Sequence, residues 1–314
     1  MTVLPHQSIA DIDRQLPLGG EIFLDHVGHF VRDPAAVGRA LQRLGFRATP
    51  VSIQVNPDPA GEIPTGTGNI TVMFHRGYVE TLFKTADTPL GRELDSAIAR
   101  YGGVHLAAFA VSDAAAAHRR LETSGFRVRP LVEMQRPVET AEGPDVAAFT
   151  ITRVEPGQMA EGRIQILTHR TERTVWQPRW LDHPNGAMGL IDVVIVSRDI
   201  EDAGSRFSRF LDRPWAANAY GQVVTLDRGR VQIVAPDAFA QLVPDLVIPS
   251  LPFIGLYAIA VRSLEVLEGH LRSGGAAFVR QWDSILAQFP TELGAGAWMF
   301  VEQPTALPWR GTGL

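Results

Sequence analysis

Cysteine is absent from this 314-residue chain, which removes disulfides, thiolate metal sites and a cysteine nucleophile together. Charge of one sign is not in excess either. The 29 Lys and Arg stand against 34 Asp and Glu, interspersed, for a net charge of −5. Neither a nucleic-acid nor a membrane partner is therefore expected. No apolar run approaches the roughly 20 residues that span a bilayer. The first residues, "MTVLPHQSIADIDRQLP", lack the basic start and apolar core of a signal peptide, so a cytoplasmic protein is expected. There is no GxSxG elbow and no Gly-rich loop between strand and helix; "PTGTGN" at 64–69 reads as a turn. With 45% hydrophobic and 20% charged residues, the composition is that of an ordinary globular protein of about two domains.

What the chain does have is repetition. "RGYVETL" (76–82) is echoed by "EGRIQIL" (161–167) and "RGRVQIV" (228–234), and more loosely by "AWMFVEQ" (297–303). Glu80, Gln165 and Gln232 hold the same place after the glycine. Each copy has an upstream partner. "FLDHVGHFVRDPAAVGRALQRLGF" (23–46) reads as a strand, then a helix opened by Asp33-Pro34 and closed by Gly45. Asp113, Asp199 and Ser263 mark the same junction in the other copies. Between helix and last strand there is room for two short strands, such as "ATPVSIQV" (48–55) and "NITVMF" (69–74). The unit is strand, helix, three strands, four times over, with boundaries near 22–86, 103–170, 188–236 and 252–304.

This arrangement resembles the vicinal oxygen chelate superfamily, the glyoxalase, bleomycin-resistance and extradiol dioxygenase group. The resemblance runs from about Glu21 to Gln303. "THRTERTVWQPRWLDHPNGA" (168–187) and "GTGN" (66–69) are similar to glyoxalase-like proteins that carry a His-Pro-Asn-Gly-Ala segment. It implies an α+β fold in which paired βαβββ units form two glyoxalase-like domains, 21–170 and 188–304, joined by a linker at 171–187. Each pair of units is expected to curl into an open, U-shaped barrel whose first and last strands line the bowl.

The resemblance also implies a site. His26, seven residues before Asp33, and Glu80 occupy the ligand places of the first unit; Gln165 holds the last-strand place of the second. His105 is eight before Asp113, one residue off register, but is the one ligand-type side chain on its strand. A His26, Glu80, His105, Gln165 set without thiolate suits Zn, Ni, Mn, Co or Fe(II). The implied chemistry is an isomerase, lyase or dioxygenase step on a small molecule with vicinal oxygens, with Glu80 as base as well as ligand. Gln54, Asn69, Phe74 and Phe109 are the expected pocket walls.

Other readings stay open. A single buried histidine is more often a hydrogen-bonded core residue than a ligand. Many members of the superfamily lack the metal, and a metal-free protein that sequesters a drug-like compound is the alternative; a homodimer is compatible with either. In the second half the matching places hold Asp192, Gln232, Leu256 (or Tyr257) and Glu302. This argues against extradiol cleavage there and for a structural or metal-free bowl. His183-Pro184-Asn185-Gly186 has turn chemistry, and Trp176 and Trp180 are expected to pack the linker across the domains.

Overall fold

The computed structural model describes residues 14–58 and 61–310. Of the stretch read above for a leader, positions 1–13 lie outside the described residues.

The first unit is β1 (Ile22–Phe30), α1 (Pro34–Arg43), β2 (Ser52–Asp58), β3 (Gly61–Met73) and β4 (Tyr78–Lys84). A helix that the repeat pattern did not reveal, α2 (Pro89–Arg100), follows. The second unit is β5 (Gly103–Val111), α3 (Ala114–Thr123), β6 (Val132–Thr140), β7 (Gly143–Arg153) and β8 (Arg163–His169), and α4 (Glu172–Val175) leads out of it. The third is β9 (Ala187–Val196), α5 (Ile200–Leu211), β10 (Trp215–Asn218), β11 (Gly221–Thr225) and β12 (Arg230–Val234), followed by α6 (Pro236–Leu242). The fourth is β13 (Phe253–Val261), α7 (Leu264–Ser273), β14 (Phe278–Arg280), β15 (Ser284–Gln288) and β16 (Ala297–Val301).

The helix starts form where the caps stand. Asp33 accepts the Ala36 N–H at 2.9 Å, and Asp113 accepts those of Ala115 and Ala116. Asp199 and Ser263 do the same for Asp202 and Val266. Each cap contributes about 1 kcal/mol. Gly45 ends α1 with φ +79°, a conformation that costs little only without a Cβ.

In the first half the strands run β1-β4-β3-β2-β6-β7-β8-β5, and β5 returns to pair antiparallel with β1. The expected open bowl is thus a closed eight-stranded barrel. The closing seam between β2 and β6 is thin: one ladder pair, Val55 with Gln135, and the Ser52 hydroxyl donating to Pro137 O at 3.0 Å. Pro137 has no N–H to donate, so the seam loses a ladder bond there. Inside the barrel Phe30, Leu82, Leu106, Phe149 and Leu167 pack together. Leu94 and Ile98 of α2 join this cluster at the Phe30 end, and Trp176 lies 6.1 Å from Tyr78 toward the other end.

The second half is an open trough. β9 and β13 pair antiparallel at its centre, with β12-β11-β10 on one side and β16-β15-β14 on the other. Its concave face is filled by the chain itself: Phe239 and Leu242 of α6, and Leu307 and Trp309 of the final segment, pack against Val194, Leu256 and Met299. Arg310 donates to Asp192 from Nε (2.8 Å) and Nη2 (2.5 Å), and Trp309 Nε1 donates to it at 2.9 Å. Gln232 pairs with Asn218 and Glu302 accepts the Leu264 N–H. Those ligand-type places are all committed to structural bonds.

The halves meet through buried polar contacts as well as apolar packing. His29 Nε2 lies 2.9 Å from the Tyr257 hydroxyl, and Arg206 makes two 2.8 Å bonds to fully buried Glu161. The His-Pro-Asn-Gly turn fixes the linker. His183 accepts the Arg47 N–H at Nδ1 and donates from Nε2 to Met73 O, and Asn185 donates to Leu44 O.

Candidate active site

Five strands bring His26, Gln54, Asn69, Glu80 and Gln165 to one cavity inside the barrel. On β4, Tyr78, Glu80 and Leu82 share the inward face by the two-residue strand period. Glu80 is 6% exposed. Its Oε1 accepts an N–H from Gln54 at 3.2 Å and one from Asn69 at 2.5 Å, and Oε2 lies 3.6 Å from His26 Nε2. The two amides replace the water that a buried carboxylate would otherwise lose.

His26 is held from behind. The ladder between β1 and β5 slips between Leu24 and His26, so Asp25 occupies a bulge, which turns its side chain toward its neighbour instead of across the sheet. Asp25 Oδ2 lies 2.7 Å from His26 Nδ1 and Oδ1 lies 2.9 Å from His169 Nε2. Asp25 is fully buried. Burial by itself raises its carboxyl, but the charges and hydrogen bonds of His169 and then His26 outweigh it and hold the group well below the usual carboxylate range. With Nδ1 bonded to that carboxylate, His26 turns Nε2 toward Glu80 and the cavity. Tyr78 stacks on the imidazole at 4.3 Å and fixes its plane.

Three arginines complete the lining: Arg136 on β6, Arg153 on β7 and Arg163 on β8. Arg153 donates to Gln165 Oε1 at 2.9 Å, and burial together with Arg163 pushes its pKa down to about 9. The open volume between these groups is about 30 Å³, room for about two waters.

Three expected site residues lie elsewhere. His105 faces out of the barrel, where its Nε2 donates to Tyr101 O at 2.7 Å and its ring stacks on Tyr101. The residue seven before Asp113 is Leu106, which does line the cavity; an offset of one on a strand reverses the face. Burial pushes the His105 pKa down to about 4. Phe109 falls on the outward face of β5 by the same parity, and Phe74, just past β3, packs in that outer core against the helices; both are fully buried there. Asp25, His169 and the arginines were not read from the sequence. Strand parity from Gln165 pointed to Arg163 and His169, whereas a bulge at Asp25 leaves no local signal.

The donor set does not fit the expected metal centre. His26 Nε2 and Glu80 Oε2 converge, but His105 is turned away and the Gln165 carbonyl oxygen is already engaged by Arg153. Three guanidinium groups also raise the potential against a cation. Among the described residues no three His, Asp or Glu side chains are grouped to hold a metal ion.

The sequence matches the model of a family described as a glyoxalase-like domain over residues 24–211, more than half of the chain. A search of curated proteins finds no match. Among solved structures, a hypothetical protein from Staphylococcus aureus superposes with a TM-score of 0.60 at 11% identity, over 89% of this chain and 98% of that one. A triple mutant of 4-hydroxymandelate synthase from Streptomyces coelicolor gives 0.55 at 15%, over 93% and 95%. A xylose isomerase-like TIM barrel/4-hydroxyphenylpyruvate dioxygenase fusion protein gives 0.55 at 9%, over 96% of this chain and 51% of that one. At such identities the likeness is one of fold. With the family match, the four βαβββ units and the barrel-borne cluster in hand, the chain belongs to the glyoxalase-like domain family of the vicinal oxygen chelate superfamily.

Proposed function

We propose that the protein is an enzyme of the vicinal oxygen chelate type that moves a proton on a small molecule bearing vicinal oxygens. Residues 21–170 form the working domain and 188–304 the supporting one, joined at 171–187. His26, oriented by Asp25, and Glu80 are the acid–base pair. The observation that carries this reading is the Asp25–His26 hydrogen bond, which leaves Nε2 free and aimed at Glu80 in a cavity with room for a reacting group. A carboxylate-oriented imidazole is a competent general base, and two titratable groups within reach of one atom allow a proton to be taken and returned. Gln54 and Asn69 hold the Glu80 carboxylate against rotation.

The test is carbon–hydrogen exchange. A panel of small 2-oxo and 2-hydroxy acids is incubated with the protein in D2O and followed by proton NMR, beside metal analysis of wild type and His26→Ala. Loss of a substrate C–H signal in wild type, but not in His26→Gln or Glu80→Gln, supports the reading. Stoichiometric divalent metal lost in His26→Ala would restore a metal-dependent enzyme with His26 and Glu80 as ligands. Neither exchange nor metal, with tight binding of an organic ligand, would favour a sequestering protein.

A further inference from the structure

Arg136 is 7% exposed, and among the described residues its guanidinium makes no hydrogen bond and no ion pair, its nitrogens facing open space rather than a protein partner. A buried arginine normally finds a carboxylate or several carbonyls, because its five N–H donors are costly to strip of water. Arg136 is desolvated strongly enough that its pKa is lowered, with Tyr78 and Glu80 the groups that oppose this. Its position gives the absence of a partner meaning. Arg136 borders the His26–Glu80 cavity on one side and, on the other, a pocket of about 500 Å³ along the β2–β6 seam.

That outer pocket has a large apolar share in its lining, beside Glu139 and Arg179. Ile53 and Val138 line it from the two strands of the seam, Val51 from the residue just before β2, and Val175 and Trp180 from the linker. Val51 and Ile53 are 57% and 40% exposed, high for large aliphatic side chains. The inner cavity, by contrast, has only about 30 Å³ of open volume, and its polar groups, His26, Glu80 and the arginines, stand beside Leu82, Leu106 and Phe149. Arg136, an unpaired guanidinium, thus stands between a wide outer pocket and a small chamber that holds the His26–Glu80 pair.

Resting on the acid–base reading above, we propose that the substrate is a carboxylate with an apolar body, entering through the β2–β6 seam. Its head, the carboxylate with the adjoining oxygen-bearing carbon, enters the chamber so that the carboxylate pairs with the fork of Arg136 and the carbon comes within reach of His26 and Glu80, while the alkyl or aryl body leads from that carbon into the pocket beside Ile53 and Trp180. The chamber matches a carboxylate head in size, at about two waters. Planar bidentate pairing is what a guanidinium offers a carboxylate. A phosphate monoester fits less well, because a second negative charge would face Glu80.

Isothermal titration calorimetry with octanoate, acetate, 1-octanol and octyl phosphate tests this on the intact protein. Octanoate is expected to bind wild type more tightly than any of the other three. Arg136→Gln is expected to weaken octanoate by about tenfold or more, the scale of a lost charge-assisted bond, and to leave 1-octanol unchanged. Trp180→Ala is expected to weaken octanoate but not acetate. Arg136→Lys, which keeps the charge without the fork, supplies the same comparison if Arg136→Gln does not fold, and is expected to bind octanoate more weakly than wild type. Wild type that ignores octanoate, a 1-octanol affinity equal to that of octanoate, or unaltered octanoate binding in the Arg136 variants would overturn the proposal. Tighter binding of octyl phosphate would overturn the choice of carboxylate. Octanoate binding that persists in His26→Gln while proton exchange is lost separates this proposal from the acid–base reading, so either can fail alone.

Discussion

Asp25 Oδ2 lies 2.7 Å from His26 Nδ1, although the two residues are consecutive on one strand. Neighbours on a regular strand point to opposite faces; the slip in the β1–β5 ladder between Leu24 and His26 is what lets them meet. Because the carboxylate selects the Nδ1–H tautomer, Asp25→Asn should reverse it, the amide N–H now donating to Nδ1. Nitrogen-15 NMR of the His26 ring should show the proton move to Nε2, and activity should drop by about 10²–10⁴-fold. An unchanged tautomer would remove Asp25 from the mechanism.

Glu80→Gln keeps the shape and one acceptor oxygen for Gln54 and Asn69, which bond the present carboxylate. The fold should survive, with a melting temperature within a few degrees of wild type. Proton exchange should fall by about 10²–10⁴-fold, the usual contribution of a general acid–base group. A variant of full activity would leave Glu80 a structural acceptor only.

Two buried histidines set an acid limit. Burial is the largest cause in both His29 and His105, and it lowers each pKa from 6.5 to about 4. The folded state therefore binds fewer protons than the unfolded state between these values, and stability falls as pH drops. The loss begins near pH 6.5 and is complete near pH 4, at about 3 kcal/mol for each residue. Urea unfolding across that window should show the decline, and His29→Phe, which also gives up the Tyr257 bond, should flatten part of it. A flat profile down to pH 4 would contradict the assignment.

Arg310 and Asp192 form a buried pair in the second half, with side chains 5% and 0% exposed. Arg310→Ala strands the Asp192 carboxylate inside the trough, and chemical unfolding should register a loss of about 3–5 kcal/mol. Replacing both residues by leucine should recover much of that. A loss below about 1 kcal/mol in the single variant would mean the final segment is not what fills the trough.

The repeat pattern, the four caps and the order of elements within each unit were legible in the sequence because each rests on local chemistry, whereas α2, α4 and α6 fall outside the repeat. An aspartate ahead of a helix, a glycine behind it and a two-residue alternation act within a few positions of themselves. Counting along the strands from the ligand places that the family resemblance implied put Glu80, His26, Gln54, Asn69 and Gln165 on the inward face, but also Phe74 and Phe109, which lie in the outer core. Parity also held the warning about His105, since Leu106 stands at the register position. What only the tertiary structure decided are matters of closure and partnership. The bulge at Asp25 arises from how β1 and β5 pair. The barrel closes because the β6–β7 hairpin reaches β2. The trough of the second half is filled by α6 and residues 307–310, which no pattern within β9 or β13 announces. Arg136 acquires its place between two pockets only once a seam exists for it to border. Local propensity fixes which way a side chain faces along its own strand, while the identity of what it faces depends on contacts between residues distant in the chain.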